Sequence, residues 1–128
     1  DFQKKIINKS FIVKKKHLDK IKEKNPKKMF AWLKDIEINI IHRKKINFEK
    51  FYKNIPKEAK LDFRFNSMLS LYFFYNRKKT SGNKFLRITK KINKNFKDLD
   101  IFKKILQKKS HKEVKFLILN SLPIYYDY

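Results

Sequence analysis

Apolar residues recur at three- and four-residue spacing in several separate stretches, the period of helices with one covered face. Met29, Phe30, Leu33, Ile36, Ile40 and Ile41 mark the first stretch, with only Glu37 breaking the apolar rule at that spacing. Asn25-Pro26 ahead of it supplies an N-cap and a first helical residue. The end of this stretch, Ile36-Glu37-Ile38-Asn39-Ile40, alternates like a strand, so its form stays open. A short helix is predicted around Phe48–Ile55, closed near Pro56. Phe65, Met68, Leu69, Tyr72 and Phe73 predict a helix that ends near Asn76. The polar run Arg77–Asn83 holds the one glycine of the chain, Gly82, and reads as a loop.

Phe85, Ile88, Ile92 and Phe96 predict a further amphipathic helix, opposite a stripe of Lys84, Arg87, Lys90, Lys91 and Lys94. At about 100° per residue the two faces are centred roughly 140° apart. Asp98 or Asp100 can cap a helix that carries Ile101, Phe102, Ile105 and Leu106. Val114–Leu119 reads as helix or strand, and Ile124-Tyr125-Tyr126-Asp127-Tyr128, after Pro123, as extended. Residues 1–24 scatter Ile6, Ile7, Phe11, Ile12, Leu18 and Ile21 around Lys14-Lys15-Lys16, which suits a basic arm or a marginal helix.

The expected fold is therefore mostly α. It is a small helical domain with a basic N-terminal arm or helix and an extended aromatic C-terminal tail. Residues 1–24 form the extension and residues 25–128 the helical domain.

Charge changes the picture most. The 128 residues carry 35 Lys and Arg against 12 Asp and Glu, a formal net charge of +23. Abundant Lys, Ile and Asn, with only two Ala, fit an AT-rich coding sequence. Base composition does not explain the missing acids, because Glu codons are nearly as AT-rich as Lys codons. Five Glu against 31 Lys is a physical requirement of another kind. So large a surplus repels itself and opposes compaction. A polyanion removes that penalty and contributes counterion release. Nucleic acid is the expected partner.

Other classes find little support. His17, His42 and His111 stand far apart, in no metal-ligand spacing, and no glycine-rich loop exists to cradle a nucleotide. Asp98 and Asp100, two residues apart, suit helix capping better than acid–base work. No enzyme, no cofactor and no small-molecule substrate are expected. The chain has no Cys, hence no disulfide and no thiolate metal site. The longest uncharged stretches, 66–76 and 116–126, are too short for a membrane span, which needs about 20 apolar residues. The first residue is Asp1 rather than Met, so the start reads as trimmed or incomplete, and a targeting segment would leave no trace.

Five basic clusters are the candidate RNA-binding residues: Lys14, Lys15 and Lys16; Arg43, Lys44 and Lys45; Arg77, Lys78 and Lys79; the face of Lys84, Arg87, Lys90, Lys91 and Lys94; and Lys108 with Lys109. One such cluster is usually a solvated face. Five with almost no interleaved acid suit a folded RNA, whose phosphates approach from several directions. Tyr75 and the tail tyrosines are candidates to stack on unpaired bases. A DNA-binding replication, partition or regulatory factor is the alternative, but Arg, which does much of the direct base reading, is scarce. A non-catalytic interaction subunit of a large complex is the third reading.

From residue 62 onward the chain resembles small-subunit ribosomal protein seven. The resemblance is carried by Asp62-Phe63-Arg64-Phe65-Asn66-Ser67-Met68-Leu69, by Arg77-Lys78-Lys79-Thr80-Ser81, and by Phe102, Leu106 and Glu113-Val114-Lys115. It covers about half the chain. The family's Arg- and Gly-rich hairpin and C-terminal helix have no counterpart here, and residues 1–60 match no known pattern. The resemblance implies a helical protein on small-subunit ribosomal RNA, among neighbouring ribosomal proteins, in the ribosome of a mitochondrion or another AT-rich organelle, or of an AT-rich bacterium.

Overall fold

A computed structural model describes residues 2–24, 29–95, 99–108 and 110–122. It is all-α, with no strand among the described residues. The chain divides into two compact units, residues 1–60 and residues 61–128.

In the first unit, α1 (Phe2–Lys24) packs on α2 (Met29–Ile41), followed by the short α3 (Phe48–Lys53) and the single turn α4 (Lys57–Lys60). Residues 2–24 are thus helical rather than an irregular arm. Leu18 of α1 is buried with Ala31 and Ile38 of α2, and Phe11 and Ile21 pack against them. The alternating end of α2 is helix. Ile36, Ile38 and Ile40 are all buried because this helix is covered nearly all round, so alternation carries no strand information there. Asn47 caps α3 by accepting from the Lys50 amide at 3.4 Å. The proposed start at Asn25-Pro26 lies outside the described residues.

The second unit is built on α5 (Phe63–Tyr75), whose residues Phe65 to Tyr75 are all buried. Asp62 caps it, its Oδ1 accepting from the Arg64 amide at 2.8 Å while the guanidinium pairs with the same carboxylate. Asn76 closes it, as the periodicity predicted. α6 (Lys79–Ile92) runs back along α5, with Phe85 stacked on Phe73 at 5.6 Å between ring centres. α7 (Leu99–Gln107) and α8 (His111–Ser121) complete the unit, through buried Phe102, Ile105, Val114 and Ile118. Val114–Leu119 is therefore helix.

Two expectations are corrected. Gly82 is not in a loop: α6 begins at Lys79, and Gly82 lies inside it, with no positive φ. Its lack of a side chain serves packing, because α5 crosses so closely there. The buried face of α6 is Gly82, Phe85, Leu86 and Thr89, and Ile92 is 40% exposed. The contact at Gly82 turns the helix roughly 60° from the predicted Phe85–Ile88–Ile92 face, at about 100° per residue. Of the two acids proposed to cap α7, Asp100 lies inside its first turn. Phe96, Asp98 and the aromatic tail from Pro123 lie outside the described residues.

Candidate nucleic-acid interface

The second and third basic clusters occupy equivalent places in the two units. Each follows a 13-residue buried helix, and each places an arginine in the left-handed region: Arg43 at φ 56° and Arg77 at φ 61°. After α2, the Arg43 amide donates to Ile40 O at 3.1 Å and the Lys44 amide to Asn39 O at 2.8 Å. After α5, the Arg77 amide donates to Phe74 O at 3.2 Å and the Lys78 amide to Phe73 O at 2.8 Å. This paired bonding is the closure in which glycine usually takes the left-handed position. Here an arginine takes it, followed in both cases by two lysines. The exposed carbonyls of a helix C-terminus favour positive charge, so part of each cluster is explained by the helix it ends.

The remainder is not explained that way. Lys78 and Lys79 stand at the N-terminus of α6, where a cation is unfavourable, and no acidic residue lies in its first turn. Lys78 is the N-cap and forms no side-chain capping bond. An anion docked on those amides and lysines satisfies both. Because α6 starts at Lys79, its free N-terminal amides are those of Lys79–Ser81.

Lys84, Arg87, Lys90 and Lys91 are all exposed along the outer face of α6, and Lys94 is exposed just beyond its end. This face is rigid, because the opposite side of the same helix is fixed to α5. Besides Phe85 on Phe73, Ser70 Oγ donates to Gly82 O at 2.7 Å. Arg77, Lys78 and Lys79 are exposed ahead of it, and Lys108 is exposed at the end of α7. The structure thus brings the third and fourth clusters into one continuous run on neighbouring turns.

The first cluster divides. Lys14 and Lys16 are exposed, whereas Lys15 is half-buried and ion-paired with Asp35 of α2. Asp35 is fully buried and also pairs with Lys22, while Asn39 Nδ2 donates to its Oδ1 at 3.0 Å. Arg43 and Lys45 are exposed, and Lys44 sits 5.7 Å from the Phe11 ring centre. Lys109 lies outside the described residues.

Stacking at Tyr75 is corrected. Tyr75 is 4% exposed, and Lys115 covers its ring at 5.2 Å. Among the described residues of this unit, the large exposed aromatic is Phe116 on α8, 69% accessible. Helical spacing from Val114 and Ile118, both buried, puts Phe116 outward, and sequence reading passed over it.

His111 Nε2 donates to Tyr75 O at 2.9 Å, tying the start of α8 to the end of α5. Burial lowers the pKa of His111 and outweighs this hydrogen bond; Arg77 and Lys115 lower it further. These effects favour the neutral imidazole. Burial likewise lowers that of His42, with Lys14 and Lys44 adding to it.

Among the described residues no three His, Asp or Glu side chains gather into a metal-binding group, and no helix is long and apolar enough to cross a membrane. No protein-family model, curated protein or solved structure matches the chain.

Proposed function

We propose that this chain is a non-catalytic RNA-binding protein that holds folded RNA by Lys- and Arg-to-phosphate contacts, as a structural component of a ribonucleoprotein particle. One observation carries the reading. The Arg77–Lys79 turn, the uncapped start of α6 and the outer face of α6 form one acid-free cationic surface on a helix whose other face is locked in the core. Such a surface grips a phosphate backbone without reading bases, which suits shape-directed binding. The resemblance over residues 62–115 directs the proposal to ribosomal RNA, with the small subunit favoured. Neighbouring ribosomal proteins and an AT-rich organelle belong to the same proposal.

Filter binding of structured RNA across a salt series tests it. With about 8 phosphates neutralised, log affinity falls against log salt with a slope near −6 to −7. Replacing Arg77, Lys78 and Lys79 together with Ala flattens that slope by about two or three. A slope shallower than about −2, or equal affinity for duplex DNA at every salt concentration, rejects the RNA reading.

A further inference from the structure

In the second unit, the end of α5, the start of α6, the end of α7 and the start of α8 surround a cavity of about 390 Å³. Phe74, Ile105 and Val114, all buried, form its floor, and Leu106, 52% exposed, stands at its mouth. Arg77, Lys79 and Lys108 ring the opening, each exposed and none in an ion pair among the described residues. Ser110 and His111 close the remaining side, and the Ser110 hydroxyl is not used to cap α8.

The volume lies in the range of small-ligand pockets, roughly 300–1,000 Å³. An apolar floor with an aromatic ring favours a flat, weakly polar body, while three cations at the rim favour an anion attached to it. A nucleoside phosphate has both parts. The cavity opens beside the cationic turn that begins the α6 surface, so a strand lying on that surface passes its mouth.

We propose that this cavity receives the base of one unpaired nucleotide of the bound RNA. The base lies on Phe74, Leu106 and Val114, and its flanking phosphates are held by Arg77, Lys79 and Lys108. This rests on the RNA-binding reading and adds to it a preference for bulged or looped sites.

The test uses the full chain and three hairpins: one perfectly paired, one with a single-nucleotide bulge, and one with an abasic bulge. The abasic bulge keeps the distorted backbone and removes only the base. Base–side-chain stacking of ordinary strength makes the bulged hairpin about tenfold tighter than the abasic one. Leu106→Gln, at an exposed position and checked by circular dichroism, reduces that ratio to under about threefold. Lys108→Gln weakens both hairpins alike.

Equal affinity for bulged and abasic hairpins overturns the proposal while leaving general RNA binding intact. So does a ratio lost in Phe116→Ala and kept in Leu106→Gln, which places the base on the exposed α8 ring instead. Micromolar binding of free nucleoside monophosphates with no bulge preference makes the cavity a free-nucleotide site and also overturns it. Failure of all three hairpins to bind overturns the RNA reading itself, and this inference with it.

Discussion

A Cβ built on Gly82 would lie 2.9 Å from Cε1 and Cζ of Phe74. Phe74 is 4% exposed and packs against Phe102, so its ring has little room to retreat. In an exposed helix, Gly→Ala gains about 1 kcal/mol. Overpacking a closed core costs about 1–3 kcal/mol, and here it wins. Gly82→Ala is expected to lower stability by up to about 2 kcal/mol in chemical denaturation. Adding Phe74→Leu, which shortens the offending ring, restores part of that loss. A more stable Gly82→Ala protein would show that α5 and α6 stand further apart.

The two left-handed arginines set folding against binding. Left-handed geometry costs a side-chain-bearing residue about 1–2 kcal/mol. A cation at a helix C-terminus returns about 0.3–1 kcal/mol. Backbone strain therefore outweighs the favourable charge, and Arg43→Gly and Arg77→Gly are each expected to stabilise the protein, by about 0.5–1 kcal/mol. Arg77→Gly should also reduce the salt slope of RNA binding by about one. Glycine variants less stable than the parent would mean that the guanidinium groups hold the turns by contacts of their own.

The histidines set a direction for pH. Both His42 and His111 have pKa values lowered from the ordinary 6.5 by burial and nearby cations. Between the lowered folded value and 6.5 the unfolded chain binds more protons, so stability rises with pH there. This contribution is complete above about pH 6.5 and is lost as pH falls through the folded values. The melting temperature at constant ionic strength should therefore drop between pH 7.5 and 5. His111→Gln should flatten the drop, because a neutral amide keeps a donor for Tyr75 O. A melting temperature that rises on acidification contradicts the assignment.

Much of this was legible in the residue pattern. That α2 and α5 are helices follows from a 3.6-residue apolar period, although Ile41, at the same spacing in α2, is 48% exposed. The unbroken run Leu71-Tyr72-Phe73-Phe74-Tyr75 carried a further message, that α5 is covered on every side. That message removes Tyr75 from the surface. The start of α6 was illegible because Arg77–Asn83 is polar and contains Gly82, and composition cannot distinguish a turning glycine from one that admits a neighbouring ring. The rotation of α6 follows from the same contact. Lys15 looked identical to Lys14 and Lys16, because its partner Asp35 lies 20 positions away and only the packing of α1 on α2 joins them.

That pairing yields the sharpest separation between binding and stability. Asp35 is fully buried and balances Lys15 and Lys22, the second of which also lies 4.3 Å from the Trp32 ring centre. Removing the carboxylate leaves two ammonium groups half-desolvated against each other, and Asn39 loses the Oδ1 acceptor. Breaking a buried pair costs about 3–5 kcal/mol, and the partial exposure of Lys15 places this case at the low end. Asp35→Ala is expected to lower stability by about 3 kcal/mol in chemical denaturation. Lys15→Met is milder, because Lys22 remains to neutralise Asp35 and the methionine keeps the stem packed. It should lower stability by about 1 kcal/mol and leave RNA affinity within about twofold of the parent, since its charge is already spent on Asp35. Lys14→Gln with Lys16→Gln should do the reverse, holding the melting temperature and flattening the salt slope by about one or two. Equal loss of RNA affinity from the two changes would place Lys15 on phosphate rather than on Asp35.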